Sequence, residues 1–261
     1  MNTNDLQKNN KKFIMSSSEA KMASDDQPFR RLMKVKICGI TNKKDALIAV
    51  NAGADAVGAV VDVPVKAPRK ITCGKAKEIF SSVPVFVSTV AVIMPKNIED
   101  VERIINCANP DVIQLQGYES PGFVSEIKNK FQIKIIKVVH IESDKFNKNF
   151  DDDNKINEIL TEIREYENAG ASAVVLDTKT ESGIGGTGKV HNWNLSKIIN
   201  EKINIPLLLA GGLSPGNVRG AIELVKPYGV DVSSNVEEVL CKKDRGKVEM
   251  FIKEAKDSGK N

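Results

Sequence analysis

A thiol and a carboxylate each close a short apolar run in this chain: Cys38 in "KVKICGIT" and Asp177 in "AVVLDT". A thiolate can collect a proton and a carboxylic acid can deliver one, so the two together would make a proton-transfer pair. Each needs tuning. A free thiol with a pKa of ~8.5 is only a few per cent ionised at neutral pH, so Cys38 would need help from Lys36 or a local dipole. Asp177, ordinarily near ~3.9, would need desolvation to hold its proton. Taken singly, a cysteine is most often an inert packed residue and an aspartate at a loop mouth a cap. Their meaning depends on what brings them together.

Two further stretches carry anion chemistry. "AGGLSPGNV" supplies Gly211 and Gly212 for close backbone approach, followed by a helix start, and "VDVSSN" supplies Ser233, Ser234 and Asn235. Backbone N–H groups and a helix N-terminus can converge on a phosphate in such loops. A third glycine-rich stretch, Ser182–Val190, lacks the spacing of a P-loop, with Val190 where Ser or Thr is required, and reads as a closing loop beside Asp177.

The elements that position these groups alternate. From Met33, strand-like runs ("VKICG", "AVGAVV", "VFVSTVAVI", "VIQLQG", "IKIIKVVHI", "AVVLDT", "IPLLLAGG", "GVDVSS") are separated by segments of helical period. The strands are nearly continuous apolar runs, as in a parallel sheet buried on both faces. Strand and helix alternate eight times, which predicts an α/β fold, a single (β/α)8 TIM barrel over residues 33–261. A doubly wound open sheet is the rival, but "CGIT" stands where its G-x-G-x-x-G would follow the first strand. Near copies "NAGADAV" and "NAGASAV" precede strands 2 and 6, with Gly53 and Gly170 placed as left-handed caps. In a barrel, reacting groups come from strand C-terminal ends. Cys38 ends strand 1, Gln116 and Gly117 strand 4, and Asp177 strand 6, with the glycine pair and the Ser-Ser-Asn run ending strands 7 and 8.

Residues 1–32 are polar, rich in Asn, Lys, Ser and Asp, and read as a disordered extension; Met15, Met22 and Met33 leave other starts open. The stretch from His140 to Asn154 reads as a mobile surface loop. With 38 Lys+Arg against 34 Asp+Glu, interleaved, the charge argues only weakly for a nucleic-acid partner and reads as a solvated surface. No apolar run suits a membrane span, and no signal core stands at the N-terminus. The four cysteines show no CxxC spacing, which disfavours a zinc site or a disulfide framework and makes a reducing cytoplasm the default.

In register, "KICGIT", "QLQG", "VVLDT", "GGTGKVHNW", "LAGGLSPGNV" and "VDVSSNVE" closely resemble the phosphoribosylanthranilate isomerase family of tryptophan biosynthesis, from about Val35 to Ala255. That resemblance implies an Amadori rearrangement of N-(5'-phosphoribosyl)anthranilate without metal or organic cofactor. It implies Asp177 as the acid that opens the furanose ring and Cys38 as the base at C2. Arg69, in "KAPRKI", falls on the family's arginine for the anthranilate carboxylate, and a guanidinium suits a two-point grip. The phosphate would lie on Gly211, Gly212, Leu213, Ser234 and Asn235. The partner implied is a phosphorylated small molecule, with no nucleic acid and no membrane, and the assembly a cytoplasmic monomer or homodimer.

Three positions depart from the family pattern. The loop before Arg69 is longer. Gln116 replaces a histidine and is given a minor binding role. Asn235 replaces a glycine, as the next best residue for a left-handed backbone. Two rivals stay open. A histidine-pathway aminoaldose isomerase is disfavoured by a thiol where a carboxylate base is usual, although a dual-substrate enzyme is not. A barrel that binds a phosphorylated ligand or protein without turnover is disfavoured by the presence of both Cys38 and Asp177.

Overall fold

A computed structural model of the protein describes residues 33–142, 153–180, 183–184 and 191–258. The extension 1–32, most of the stretch 140–154 and most of the loop 182–190 lie outside the described residues.

Eight parallel strands close on themselves: β1 (Lys34–Ile37), β2 (Ala56–Val61), β3 (Ser88–Ile93), β4 (Val112–Leu115), β5 (Lys134–Glu142), β6 (Ala173–Thr180), β7 (Leu207–Leu209) and β8 (Gly229–Val232). Each pairs with its neighbour in sequence, and β1 pairs both β2 and β8, so the sheet has no free edge in the ring. Among the described residues eight helices alternate with the strands: α1 (Lys43–Asn51), α2 (Cys73–Phe80), α3 (Ile98–Ala108), α4 (Pro121–Phe131), α5 (Asp153–Asn168), α6 (Trp193–Lys202), α7 (Val218–Val225) and α8 (Arg245–Asp257). The expected (β/α)8 barrel is the observed architecture. Short strands at Lys70–Ile71, Gly183–Ile184, Glu237–Val239 and Lys242–Lys243 decorate the loops.

Local chemistry starts and stops the helices. Asn42, Thr72, Asn97, Ser120 and Asp244 each accept a hydrogen bond from the backbone N–H three residues on, which satisfies a first-turn donor. Gly53 and Gly170 take φ of +94° and +95°, the left-handed turn that carries the chain from helix to strand.

The period of two along each strand sorts the core into two layers. Residues facing outward, such as Ile37, Val57, Ile93, Leu115, Leu176 and Val232, pack beneath the helices in one large cluster. Residues facing inward form a smaller plug of Val90, Val112, Ile136, Val138, Ala173, Val175, Leu208 and Ala210. The plug fills the barrel's lower half, and the polar inward residues stand above it at the strand ends. Cys73 on α2 and Cys107 on α3 are joined by a disulfide with Cα atoms 6.0 Å apart, a local staple between neighbouring helices that the spacing alone did not suggest.

One buried ion pair fixes the loop that follows β4. Lys137, on the outward face of β5, donates to Glu119 Oε2 at 2.9 Å and to the Gly117 carbonyl at 2.6 Å, while Glu119 Oε1 accepts from the Gly117 N–H at 3.0 Å. Tyr166 of α5 donates to the Glu119 carbonyl at 2.9 Å and lays its ring 5.3 Å from the ammonium. Both charges are buried, so removing one leaves the other without compensation. Lys137→Ala is expected to lower unfolding free energy by roughly 3–5 kcal/mol, and the double change Lys137→Met with Glu119→Gln by markedly less. Urea denaturation of the two variants against wild type checks the ordering.

Candidate active site

The strand ends converge on one cavity of about 530 Å³ at the C-terminal mouth of the barrel. All nine residues singled out from the sequence line it: Cys38, Arg69, Gln116, Asp177, Gly211, Gly212, Leu213, Ser234 and Asn235. Apolar walls come from Val60, Val63, Val65, Val92 and Met94, and suit a flat hydrophobic group.

Cys38 is buried, directly after β1. Two residues earlier on the same face, Lys36 donates to Asp231 Oδ2 of β8 at 2.8 Å, an ion pair between residues in direct register across the closing seam. Lys36 and Cys38 lie side by side over Gly58. A Cβ there would come within 2.9 Å of Lys36 Cε and 3.0 Å of Cys38 Sγ, so β2 must be bare at that point. Burial opposes the Lys36 charge, but Asp231 and Cys38 outweigh it and hold the ammonium above its usual range. The Cys38 thiol is pushed up, by burial first; Lys36 pulls the other way and Asp231 adds to the rise. Lys36 is therefore placed to help the thiolate, as the sequence suggested, without overcoming its desolvation.

Asp177 holds its proton far more tightly than an ordinary aspartate. Burial, and then the negative charge of Asp231, raise it to about 6, against smaller opposing contributions from the Thr178 N–H, Gln116 and Lys36. Gln116 donates to Asp177 Oδ2 at 3.4 Å, and Gln114, two residues earlier on the same face of β4, donates to Gln116 Oε1 at 3.0 Å. His140, in register with Asp177 on β5, touches the Gln116 carbonyl at 2.9 Å. Behind Asp177, Thr178 Oγ1 meets His191 Nδ1 at 2.8 Å and His191 Nε2 meets Ser196 Oγ at 2.6 Å. Burial drops His191 to about 4, so this bracket is neutral at physiological pH.

The loops after β7 and β8 make the other end of the cavity. Gly211 and Gly212 take φ of +82° and +71°. A Cβ on Gly211 would collide with Thr178 Oγ1, so only glycine lets the β7 loop lie against the end of β6. The N–H groups of Gly212 and Leu213 find no acceptor among the described residues. Asn235 differs from expectation. Its backbone is not left-handed but part of the right-handed 3-10 turn Ser234–Val236, and its side-chain amide donates to the Leu213 carbonyl at 2.9 Å. The asparagine ties the loop after β8 to the loop after β7, where a glycine would leave this link unmade. The helix start of the β7 loop also departs from a simple cap. Asn217 accepts from Ser214 N at 2.7 Å and donates to the Gly212 carbonyl at 3.0 Å, so its side chain shapes the glycine turn.

Arg69 reaches the cavity from the loop after β2, held in a two-point pair with Glu237: Nε to Oε1 and Nη2 to Oε2, both at 2.7 Å.

Sequence reasoning missed Asp231, Gln114 and Glu237. Two of them had a signal: a polar residue inside an otherwise apolar parallel strand, two positions before the strand-end residue, must share its inward face. Asp231 Oδ1 and Gln114 Oε1 are buried with no partner among the described residues, and both residues line the cavity, so they offer acceptors to a ligand rich in donors. Among the described residues no group of three or more His, Cys, Asp or Glu could hold a metal ion, and no helix is long and apolar enough to cross a membrane.

The comparisons agree with one another. A family model described as N-(5'-phosphoribosyl)anthranilate (PRA) isomerase matches residues 35–254. An N-(5'-phosphoribosyl)anthranilate isomerase of Methanocaldococcus jannaschii is 46% identical over 226 residues, covering 85% of this chain and 96% of its own. The crystal structure of phosphoribosyl anthranilate isomerase from Thermotoga maritima superposes with a TM-score of 0.73 at 37% identity, over 87% of this chain and all of its own. A further isomerase of that name, in complex with reduced 1-(o-carboxyphenylamino)-1-deoxyribulose 5-phosphate, gives 0.70 at 34% over the same shares. Monomers generated from the Thermotoga maritima enzyme, described as dimeric, give 0.70 at 32%, again over 87% and 100%.

The raised acid has a consequence for stability. Asp177 binds its proton more tightly folded than unfolded, so folded stability is lost as pH rises from about 4 to about 6 and stays lost above. Asp177→Asn removes that cost. The variant is expected to be more stable than wild type above pH 6, by on the order of 2–3 kcal/mol, and to converge with it near pH 4. Denaturant midpoints across that range check the crossover.

Proposed function

The chain belongs to the N-(5'-phosphoribosyl)anthranilate isomerase family, and from that premise we propose that Asp177 is its acid and Cys38 its base. The reaction is the aldose–ketose rearrangement of N-(5'-phosphoribosyl)anthranilate to 1-(o-carboxyphenylamino)-1-deoxyribulose 5-phosphate, a step of tryptophan biosynthesis.

Asp177 gives its proton to the furanose ring oxygen as the bond from C1 to that oxygen breaks, and the anilino nitrogen's lone pair makes the C=N of a protonated Schiff base. Cys38, as thiolate, takes the proton from C2. The released electron pair becomes C1=C2, the iminium electrons return to nitrogen, and an enolamine results. A proton on C1 and loss of the C2 hydroxyl proton complete the ketone. The observation that carries this reading is the acid at about 6 in the same cavity as a thiol beside an ammonium.

The phosphate lies on the N–H groups of Gly211, Gly212, Leu213, Ser234 and Asn235, supported by the two loops that Asn235 ties together. The anthranilate ring rests on the valine wall near Arg69, which takes its carboxylate. Gln116 contributes by holding Asp177 and contacting the sugar. The enzyme works in the cytoplasm, since a phosphorylated sugar does not cross a bilayer unaided.

Assembly as a monomer or a homodimer is part of the same proposal, and the second is favoured. The dimeric Thermotoga maritima relative and the bare Val85 and Phe86, 88% and 95% exposed in the turn before β3, both point that way. Sedimentation of wild type is expected to give a dimer, and Phe86→Asp to give a monomer that keeps its activity.

Loss of substrate fluorescence with freshly generated phosphoribosylanthranilate tests the chemistry. Cys38→Ser and Asp177→Asn are each expected to lose about a thousandfold or more in kcat. The pH profile follows from the two shifts. Below about 6 Asp177 stays protonated and each unit of pH yields more thiolate, so kcat/KM climbs. Above about 6 the gain in thiolate is cancelled by the loss of acid, and the profile is level until the thiol titrates. A Cys38→Ser enzyme as fast as wild type would remove Cys38 as the base.

A further inference from the structure

Arg69 does not stand free in its loop. Its stem crosses directly over Gly39, where a Cβ would lie 2.5 Å from Arg69 Cδ. Its guanidinium then meets Glu237, beyond the end of β8, through two hydrogen bonds of 2.7 Å. Glu237 is itself anchored from other directions. Lys243 donates to Oε1 at 3.0 Å and the Cys241 N–H donates to Oε2 at 3.2 Å. Lys243 in turn binds the Ser233 carbonyl at 2.8 Å, and its N–H donates to Asp45 at 3.0 Å. Both Glu237 and Lys243 are buried.

The geometry limits what Arg69 can offer. A guanidinium has five N–H donors and two forked edges that fit a carboxylate: the side edge, Nε with one Nη, and the end edge, Nη1 with Nη2. Glu237 occupies the side edge. Nη1 has no partner among the described residues, and Arg69 lines the cavity, so the end edge is the one left for a ligand. Glu237 cannot swing aside to release the other edge without uncovering Lys243, which it neutralises in the interior. Arg69, Glu237 and Lys243 together carry one net positive charge beside the mouth, which a ligand carboxylate would balance.

We propose that Glu237 is a positioning residue that locks the Arg69 guanidinium by its side edge, so that its free end edge selects a substrate bearing a carboxylate on the aromatic ring. The selectivity belongs to the pair, not to the arginine alone. This rests on the reading of Arg69 as the carboxylate anchor. An arginine held on one edge loses little freedom when the second edge is used, whereas an unheld one must be ordered by the substrate itself.

Two substrates that differ in that group separate the possibilities: N-(5'-phosphoribosyl)anthranilate and N-(5'-phosphoribosyl)aniline, which lacks the carboxylate. The ratio of kcat/KM between them is independent of how much enzyme is folded, so a partly unstable variant still gives an answer. Wild type is expected to prefer the anthranilate substrate about a hundredfold, and Arg69→Met to lose that preference. Glu237→Gln, and Glu237→Asp, which keeps a charge for Lys243 but shortens the reach, are expected to cut the preference about tenfold, through KM. Rates on the aniline substrate should stay within about twofold of wild type for whichever Glu237 variant folds fully. A preference as large as wild type's in both Glu237 variants, or a loss shared equally by the two substrates, would overturn the proposal while leaving Arg69 in place. A wild-type enzyme that makes no distinction between the substrates would remove the Arg69 reading, and the Glu237 proposal with it.

Discussion

The ion pair between Lys36 and Asp231 is where fold and chemistry share one constraint. The two residues face each other in register across β1 and β8, the seam at which the barrel closes, with an N–O distance of 2.8 Å and side chains 2% and 9% exposed. Such a pair adds little net stability, because desolvation of both charges offsets much of their attraction. Its value lies in what it does to its neighbours. Lys36 sits against Cys38 and favours the thiolate, while the charge of Asp231 discourages ionisation of Asp177. One buried pair therefore biases Cys38 and Asp177 in opposite directions, each toward the state that its proposed role as base or acid requires. Replacing it by apolar residues would spare the seam and disarm the site.

That electrostatic bias depends on dryness, and dryness comes from the inner plug. Val90, Val112, Ile136, Val138, Val175 and Leu208 fill the barrel beneath the polar ring with buried apolar side chains. For both Cys38 and Asp177 burial is the leading cause of the shift, ahead of any single charge. The groups are held as well as desolvated. Gln116, itself held by Gln114 of β4, reaches Asp177, and the Thr178–His191–Ser196 bracket secures the strand just beyond it. His191, too buried to charge in the working range, serves as a fixed donor–acceptor rather than a switch.

Much of this was legible in the chain. Alternating apolar strands and amphipathic helices give the barrel, and the barrel rule turns a strand-end position into a prediction of location, which is why nine separated residues fall on one cavity. The resemblance supplied roles that spacing could not. What stayed hidden depended on contacts between distant elements. Asp231 reads as an interruption of an apolar strand until the register with Lys36 is known. Glu237, in a loop past β8, has no sequence link to Arg69, 168 residues away. Asn235 was read through backbone preference, as a stand-in for glycine, when its side chain was the part in use. Pairing of Cys73 with Cys107 follows from the approach of α2 and α3, which the spacing of the cysteines cannot convey.

The glycines around the mouth show why the site and the fold constrain each other without being the same thing. Gly39 leaves room for the Arg69 stem, Gly58 for Lys36 and Cys38, and Gly211 for Thr178. In each case the space is filled by a polar or charged side chain or a thiol beside the cavity, not by core packing. A methyl at any of these points would meet that side chain first. Arg69 and Lys36 end in flexible stems that can move, so a barrel with such a methyl could still close while its charges sat in the wrong place. Gly211 is different, because the Thr178 backbone N lies 2.8 Å from the added carbon and cannot yield. Gly58 therefore constrains chemistry before stability, whereas Gly39, whose φ of +73° strains any side chain, and Gly211 constrain both at once.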